Sequence, residues 1–98
     1  MGNKEMAKQI VEMLIEIIPE KLELMEIAFE SEDTEEIRKI SHNIKGAAAS
    51  SSACKLSEIA SKIEIASKQN DLDKIELLIK IIKKELENFI NNIEIKSL

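Results

Sequence analysis

The chain has 98 residues, which is enough for one domain built around one hydrophobic core. Acidic residues outnumber basic ones by 19 to 14, and the net charge of −5 argues against nucleic acid or an anionic membrane as the main partner. One cysteine, Cys54, excludes an internal disulfide bond and fits a reducing compartment. Without a leader-like segment or a membrane-length apolar run, the sequence predicts a single cytoplasmic domain over residues 1–98.

Helical periodicity runs through nearly the whole chain, and the alternation typical of strands is absent. The first predicted helix carries an apolar stripe, formed by Met6, Ile10, Leu14 and Ile17. Pro19 is expected to interrupt this helix and to open the second one as its first residue. The predicted buried face of the second helix consists of Leu22, Met25, Ala28 and Phe29.

A turn at residues 31–34 separates the second predicted helix from the third. Asp33 and Glu36 have the spacing of a capping box, so we expect the third helix to begin there. The apolar side of this helix consists of Ile37, Ile40, Ile44 and Ala48. The small residues at 50–52 are expected to end or bend it.

The fourth predicted helix has an inward face formed by Leu56, Ile59, Ile63 and Ala66. Residues 69–71 form the next break, with Asn70 or Asp71 as the cap of the last helix. The last helix carries a continuous apolar seam, formed by Ile75, Ile79, Ile82, Leu86, Phe89 and Ile93. Because short connections imply antiparallel neighbours, the predicted fold is all-α: an antiparallel four-helix bundle with an additional N-terminal helix.

The chain's one histidine, His42, is predicted to face solvent. It lies about 160° around the helix axis from Ile44, which must face the core. The residues that share its face are Lys39, Lys45, Gly46 and Ala49. Gly46 costs about 1 kcal/mol relative to alanine inside a helix, and a close approach by another molecule would explain its presence. The alternative interpretations are that His42 is a surface histidine without a role, and that the small residues serve close packing between helices.

Other chemistries are less compatible with the sequence. His42 and Cys54 are the chain's one histidine and one cysteine, and their placement on separate helices does not make a zinc site. Nucleophilic catalysis by a serine–histidine pair is also disfavoured. Ser41 adjoins His42 in sequence and therefore points to a different side of a helix. The chain has no glycine-rich nucleotide loop, so we expect it neither to bind ATP nor to phosphorylate itself.

The string His42-x-x-Lys45-Gly46 resembles the histidine-containing phosphotransfer (HPt) domain family. A capped amphipathic helix precedes the string, and Leu56 and Ile63-Glu64 follow it, so that the resemblance covers residues from about 19 to 89. It implies a four-helix bundle in which His42 is the phosphorylated residue and Lys45 neutralises charge on the phosphate.

Two further positions complete the resemblance and one departs from it. Gly46 matches the family's glycine that leaves room for a partner. Glu64 matches a glutamate that hydrogen-bonds the histidine in some members. Many members carry a second glycine ten residues after the histidine, where this chain has Ser52. That difference puts the shape of the following turn in question.

The resemblance implies a monomeric phosphocarrier of a two-component phosphorelay. His42 would accept a phosphoryl group from a receiver-domain phospho-aspartate and pass it to another receiver domain. The chain would not be an enzyme and would bind no cofactor or metal ion, because the divalent metal belongs to the receiver. The predicted partner surface includes Lys39, Asn43 and Ala49.

Alternatives to this function stay open. The chain could be the phospho-acceptor domain of a chemotaxis-type histidine kinase, since Glu64 is compatible with both classes. It could also be a non-catalytic helical interaction module, in which His42 has no role. Membership in a larger hybrid sensor histidine kinase is compatible with the sequence.

Overall fold

A computed structural model describes residues 12–50 and 53–97. Over these residues the chain is all-helical, without strands, which confirms the predicted all-α class. The four α-helices are α1 (Ile18–Glu30), α2 (Thr34–Ser50), α3 (Cys54–Lys68) and α4 (Leu72–Ser97). Among the described residues, no helix has the length and apolar character needed to cross a membrane.

The predicted apolar stripes of the four helices form one core. Nearly all of their members are buried, while Phe29, Ile59 and Phe89 are partly buried against the others. The core also takes residues outside those stripes, namely Ile18, Ala53, Ala60 and Leu78. The side chain of Ile93 lies outside the described part. Helix α2 packs against α1 and α3, and α4 packs against α3 and α1.

The start of the chain differs from the prediction at Pro19. A π-helical turn, Met13–Ile17, runs directly into α1, and Ile17 has helical backbone angles of −77° and −49°. Proline lacks the N–H that would pair with the carbonyl four residues earlier, and a wider π-helical turn lets the backbone stay helical past it. Pro19 lies in the first turn of α1, which begins at Ile18, so the predicted start of this helix is confirmed to within one residue. The expected interruption takes the form of the π-helical turn and not of a break in the helix.

The predicted N-terminal stripe is partly wrong. Ile17 is 44% exposed, whereas its neighbour Ile18 is fully buried. The widened π-helical turn changes the angle between successive side chains, so a stripe drawn with α-helical spacing does not continue through it. Met6 and Ile10 lie outside the described residues, as does the side chain of Leu14.

Aspartate caps begin α2 and α4 at the predicted places. The backbone N–H of Glu36 donates to Oδ1 of Asp33 at 3.1 Å, and that of Lys74 donates to Oδ1 of Asp71, also at 3.1 Å. Each cap satisfies one N–H of the first helical turn. The N–H of Asp33 donates to the carbonyl of Ala28, so only the first half of the predicted capping box is formed.

The two turns that follow α1 and α3 have the same design and lie together. Glu32 and Asn70 adopt left-handed backbone angles, with φ of 55° and 53°. Each occupies the position after a helix end where glycine is common. The Thr34 hydroxyl donates to Oδ1 of Asn70 at 2.6 Å and so joins the two turns at one end of the molecule.

Candidate functional site

His42 projects from the middle of α2 into solvent, as predicted. Its side chain is 62% exposed, because the buried Ile37, Ile40 and Ile44 hold the opposite side of α2 against the core. Ser41, the preceding residue, is fully buried, and its hydroxyl donates to the carbonyl of Arg38 at 2.9 Å. The serine therefore bonds its own helix and does not face the imidazole.

Glu64 of α3 lies beside His42 and Lys45 of α2. Oε2 of Glu64 is 3.2 Å from Nδ1 of His42, and Oε1 accepts a hydrogen bond from Nζ of Lys45 at 3.0 Å. The Glu64 side chain is only 9% exposed, whereas that of Lys45 is 36% exposed. One nearly buried carboxylate thus binds the imidazole with one oxygen and the ammonium group with the other.

These contacts keep Glu64 ionised. The hydrogen bond from Lys45 lowers the pKa of Glu64 below its ordinary value of 4.5 and outweighs burial, which acts to raise it. The charge of Lys45 and the contact with His42 lower this pKa further. An ionised carboxylate can only accept hydrogen bonds, so Nδ1 of His42 must be the donor. In the neutral imidazole this leaves the Nε2 lone pair free on the exposed side of the ring.

Gly46, one turn after His42, is exposed and has an open surface above it. A Cβ atom added at this position would meet no atom within 4 Å. The packing of this chain therefore does not require glycine there. The other residues of the predicted partner surface, Lys39, Asn43 and Ala49, are also exposed.

A further residue of the site, Ser57, was not predicted from the sequence. Its hydroxyl donates to the backbone carbonyl of Lys45 at 3.3 Å and so links α3 to α2 beside the Glu64 contacts. Ser57 follows the buried Leu56, and a single serine beside an apolar residue carries no distinguishing pattern. Ser52, the departure from the family pattern, lies outside the described residues.

Among residues 12–50 and 53–97, no group of three or more His, Cys, Asp or Glu residues is arranged to hold a metal ion. Glu64 has its two oxygens occupied by His42 and Lys45, so the carboxylate serves side chains of the chain itself. The arrangement instead suits an exposed nitrogen nucleophile with a fixed proton and an adjacent cation.

Comparison with known families matches residues 9–94 to the Hpt domain. Because this match covers most of the chain, the chain belongs to the Hpt domain family. Hpt domains are phosphocarrier modules of two-component phosphorelays and work with receiver domains. Neither the curated protein sequences nor the solved structures contain a match.

Proposed function

We propose that this chain carries phosphoryl groups between receiver domains on Nε2 of His42. The observation that supports this most directly is the contact between Nδ1 of His42 and the ionised Glu64, which leaves Nε2 exposed. We also propose that residues 1–98 form one cytoplasmic domain, an antiparallel four-helix bundle with an additional N-terminal helix. We propose that it works as a monomer, and the contacts among His42, Lys45 and Glu64 support this in that the site needs no second copy.

In the proposed reaction the Nε2 lone pair attacks the phosphorus of the receiver's phospho-aspartate. An N–P bond forms, the bond between phosphorus and the aspartate oxygen breaks, and the aspartate carboxylate leaves with that electron pair. His42 needs no general base, because the attacking nitrogen carries no proton. Transfer to a second receiver domain is the same displacement in the opposite sense.

Glu64 stabilises the product of this step. Phosphorylation of Nε2 while Nδ1 keeps its proton makes the imidazole ring cationic. The carboxylate 3.2 Å from Nδ1 already accepts that proton's hydrogen bond and offsets the new charge without reorganisation. Glu64 therefore orients the imidazole ring and stabilises its charge without touching the reacting atoms.

Lys45 supplies positive charge beside the phosphoryl group. Phosphoryl transfer depends mainly on alignment and on neutralising the oxygens, and the receiver domain provides the divalent metal ion for this. The Lys45 side chain is 36% exposed, and its ammonium group binds the same carboxylate that contacts the imidazole, which places its charge beside His42. Gly46 contributes by leaving the surface beside the imidazole open to the receiver domain.

The test is phosphoryl transfer from a panel of phosphorylated receiver domains to the wild-type chain and to His42→Gln. We expect the wild type to acquire an acid-labile, alkali-stable label and the variant to acquire none. Incubation of the chain with ATP and Mg²⁺ alone should give no label. A folded wild-type chain that receives no label from any donor would contradict the proposal and favour a helical interaction module.

A further inference from the structure

Arg38 is a second cation beside His42, one helical turn earlier on α2. Residues four apart are neighbours on a helix surface, and the side chains of a helix lean towards its N-terminus. The imidazole of His42 therefore leans towards the turn that contains Arg38. Around the helix axis, Arg38 and Lys45 lie about 40° and about 60° from His42, both on the side that faces α3.

Glu35 holds the guanidinium of Arg38 in place. Nε of Arg38 donates to Oε2 of Glu35 at 3.2 Å, and Nη2 donates to Oε1 at 2.6 Å. A guanidinium has five N–H donors, and Glu35 takes two of them, so that donors remain for an anion. A long side chain that is already held loses less rotamer freedom when it binds a further group. Arg38 is thus arranged in advance for a second acceptor.

The charges around His42 leave its phosphorylated form short of one cation. In the unphosphorylated chain, Glu64 binds both the imidazole and the ammonium group of Lys45. Phosphorylation of Nε2 makes the ring cationic, and this charge offsets the charge of Glu64. Lys45 then offers a single positive charge to a phosphoryl group that carries close to two negative charges at pH 7. A second cation would complete the neutralisation while no receiver domain is bound.

The electrostatics of the site include Arg38. The hydrogen bonds to Glu35 and the charge of that carboxylate raise the pKa of Arg38, and burial acts in the opposite direction. The charge of Glu64 raises this pKa further, so the carboxylate that contacts His42 also acts on the guanidinium. Arginine stays charged throughout the physiological pH range, and its planar fork matches the oxygens of a phosphoryl group.

Lys39 is the other cation in the turn before His42. It lies about 60° from His42 on the side of α2 opposite to Lys45. Among residues 12–50 and 53–97, no carboxylate forms an ion pair with Lys39. Its flexible side chain would have to be ordered by the phosphoryl group itself, whereas that of Arg38 is already fixed. The geometry therefore favours Arg38.

We propose that Arg38 is a second phosphoryl-binding residue, whose guanidinium hydrogen-bonds the phosphoryl oxygens on Nε2 of His42 while no receiver domain is bound. This inference rests on the proposed function of His42. Arg38 and Lys45 hold the phosphoryl group from the turn before and the turn after the imidazole. The phosphohistidine is thereby stabilised until a receiver domain supplies its own positive charge.

The experiment observes the phosphoryl group directly, by phosphorus-31 NMR of the full chain labelled with the small donor phosphoramidate. A nearby cation favours the fully ionised phosphoryl group, so Arg38→Gln should raise the pKa of this group by about half a pH unit or more. Because phosphohistidine is acid-labile, protonation of the phosphoryl group promotes its loss. The variant should therefore lose its label about twofold faster or more at neutral pH.

Glu35→Gln separates phosphoryl binding from a structural role of the ion pair. This variant breaks the same ion pair but keeps the guanidinium, so the phosphoryl pKa should not rise and the label should last at least as long as in the wild type. Lys80→Gln removes a cation that is also paired with a glutamate of its own helix, Glu76 of α4, and should change neither quantity. Helical circular dichroism would show that the variants fold.

Four results would overturn the role of Arg38. The first is a wild-type phosphoryl pKa and label lifetime in Arg38→Gln, and the second is an equal change in Lys80→Gln, which would indicate overall charge. The third is the same change in Glu35→Gln, which would indicate a structural ion pair, and the fourth is a change confined to Lys39→Gln. A folded wild-type chain that phosphoramidate does not label would instead contradict the proposed function of His42.

Discussion

Oε2 of Glu64 lies 3.2 Å from Nδ1 of His42, and this contact leaves Nε2 as the ring nitrogen that the proposed transfer would use. The carboxylate is nearly buried and ionised, so it holds the ring proton on Nδ1. The same residue would offset the ring charge after phosphorylation of Nε2. One contact between two helices thus accounts for the orientation, the tautomer and the stabilisation of the proposed phosphohistidine.

Gly46→Ala should separate stability from function. Alanine is favoured over glycine by about 1 kcal/mol inside a helix, and its Cβ would meet no neighbour. We expect the free energy of unfolding, measured by urea denaturation, to rise by about that amount. We also expect slower transfer from receiver domains, because the added methyl group would stand on the surface proposed for the receiver domain.

Phosphoramidate labelling provides the control for Gly46→Ala, since it should proceed at the wild-type rate. A variant that is more stable and exchanges phosphate with receiver domains as fast as the wild type would contradict the role given to this glycine.

Lys45→Gln should raise the pKa of Glu64 towards its ordinary value of 4.5, because the hydrogen bond from Lys45 is the largest cause of the depression. A carbon-13 NMR titration of the Glu64 carboxyl group measures this change directly. Lys39→Gln removes an exposed lysine of the same helix and should leave this pKa where it is. Equal shifts in the two variants would show that overall charge, rather than the specific contact, sets the pKa.

Glu64→Gln should reduce the loss of unfolding free energy that accompanies a fall in pH. The pKa of Glu64 in the folded chain is below 4.5, so its contribution to stability is present above about pH 4.5 and is lost as the pH falls through the folded pKa. At pH 7 we expect the variant to lose about 1 kcal/mol, a modest value because Lys45 and His42 reach into solvent.

Urea unfolding of Glu64→Gln between pH 7 and pH 3 makes this measurement. Glu58→Gln, at an exposed position of the same helix, is the matched control and should follow the wild-type profile. If Glu64→Gln lost as much unfolding free energy at low pH as the wild type does, the contacts of this carboxylate would not contribute to stability.

Glu32→Gly should stabilise the chain by up to about 1 kcal/mol. Glu32 has a φ of 55°, and the left-handed conformation is unfavourable for residues with a side chain but not for glycine. The greater freedom of glycine in the unfolded chain offsets part of this gain. Thermal unfolding measures the net effect, and Glu23→Gly, at an exposed position inside α1, should instead destabilise. A lower midpoint for Glu32→Gly would contradict this account of the turn.

The four α-helices could be predicted from the sequence because each has an apolar stripe with helical spacing and because aspartates mark two of the starts. Pro19 marks the start of α1 to within one residue, but the π-helical turn before it, which keeps the chain helical, has no sequence signal of its own. The left-handed Glu32 carries no signal either, since glycine is the residue that usually marks such a position.

The candidate site was only partly predictable for a geometric reason. Spacing along a helix gives the angle of a side chain around its own axis, which placed His42 outward. It does not give the distance between two helices. The contacts that Glu64 makes with His42 and Lys45, and the bond from Ser57 to the backbone of Lys45, depend on how α2 and α3 pack.

The most direct test of the central claim is nitrogen-15 NMR of the chain after treatment with phosphoramidate. His42 is the one histidine, so its two ring nitrogens can be assigned without ambiguity. The account predicts phosphorus coupling at Nε2 and a proton on Nδ1. Phosphorus on Nδ1, or no phosphohistidine in the folded chain, would contradict it.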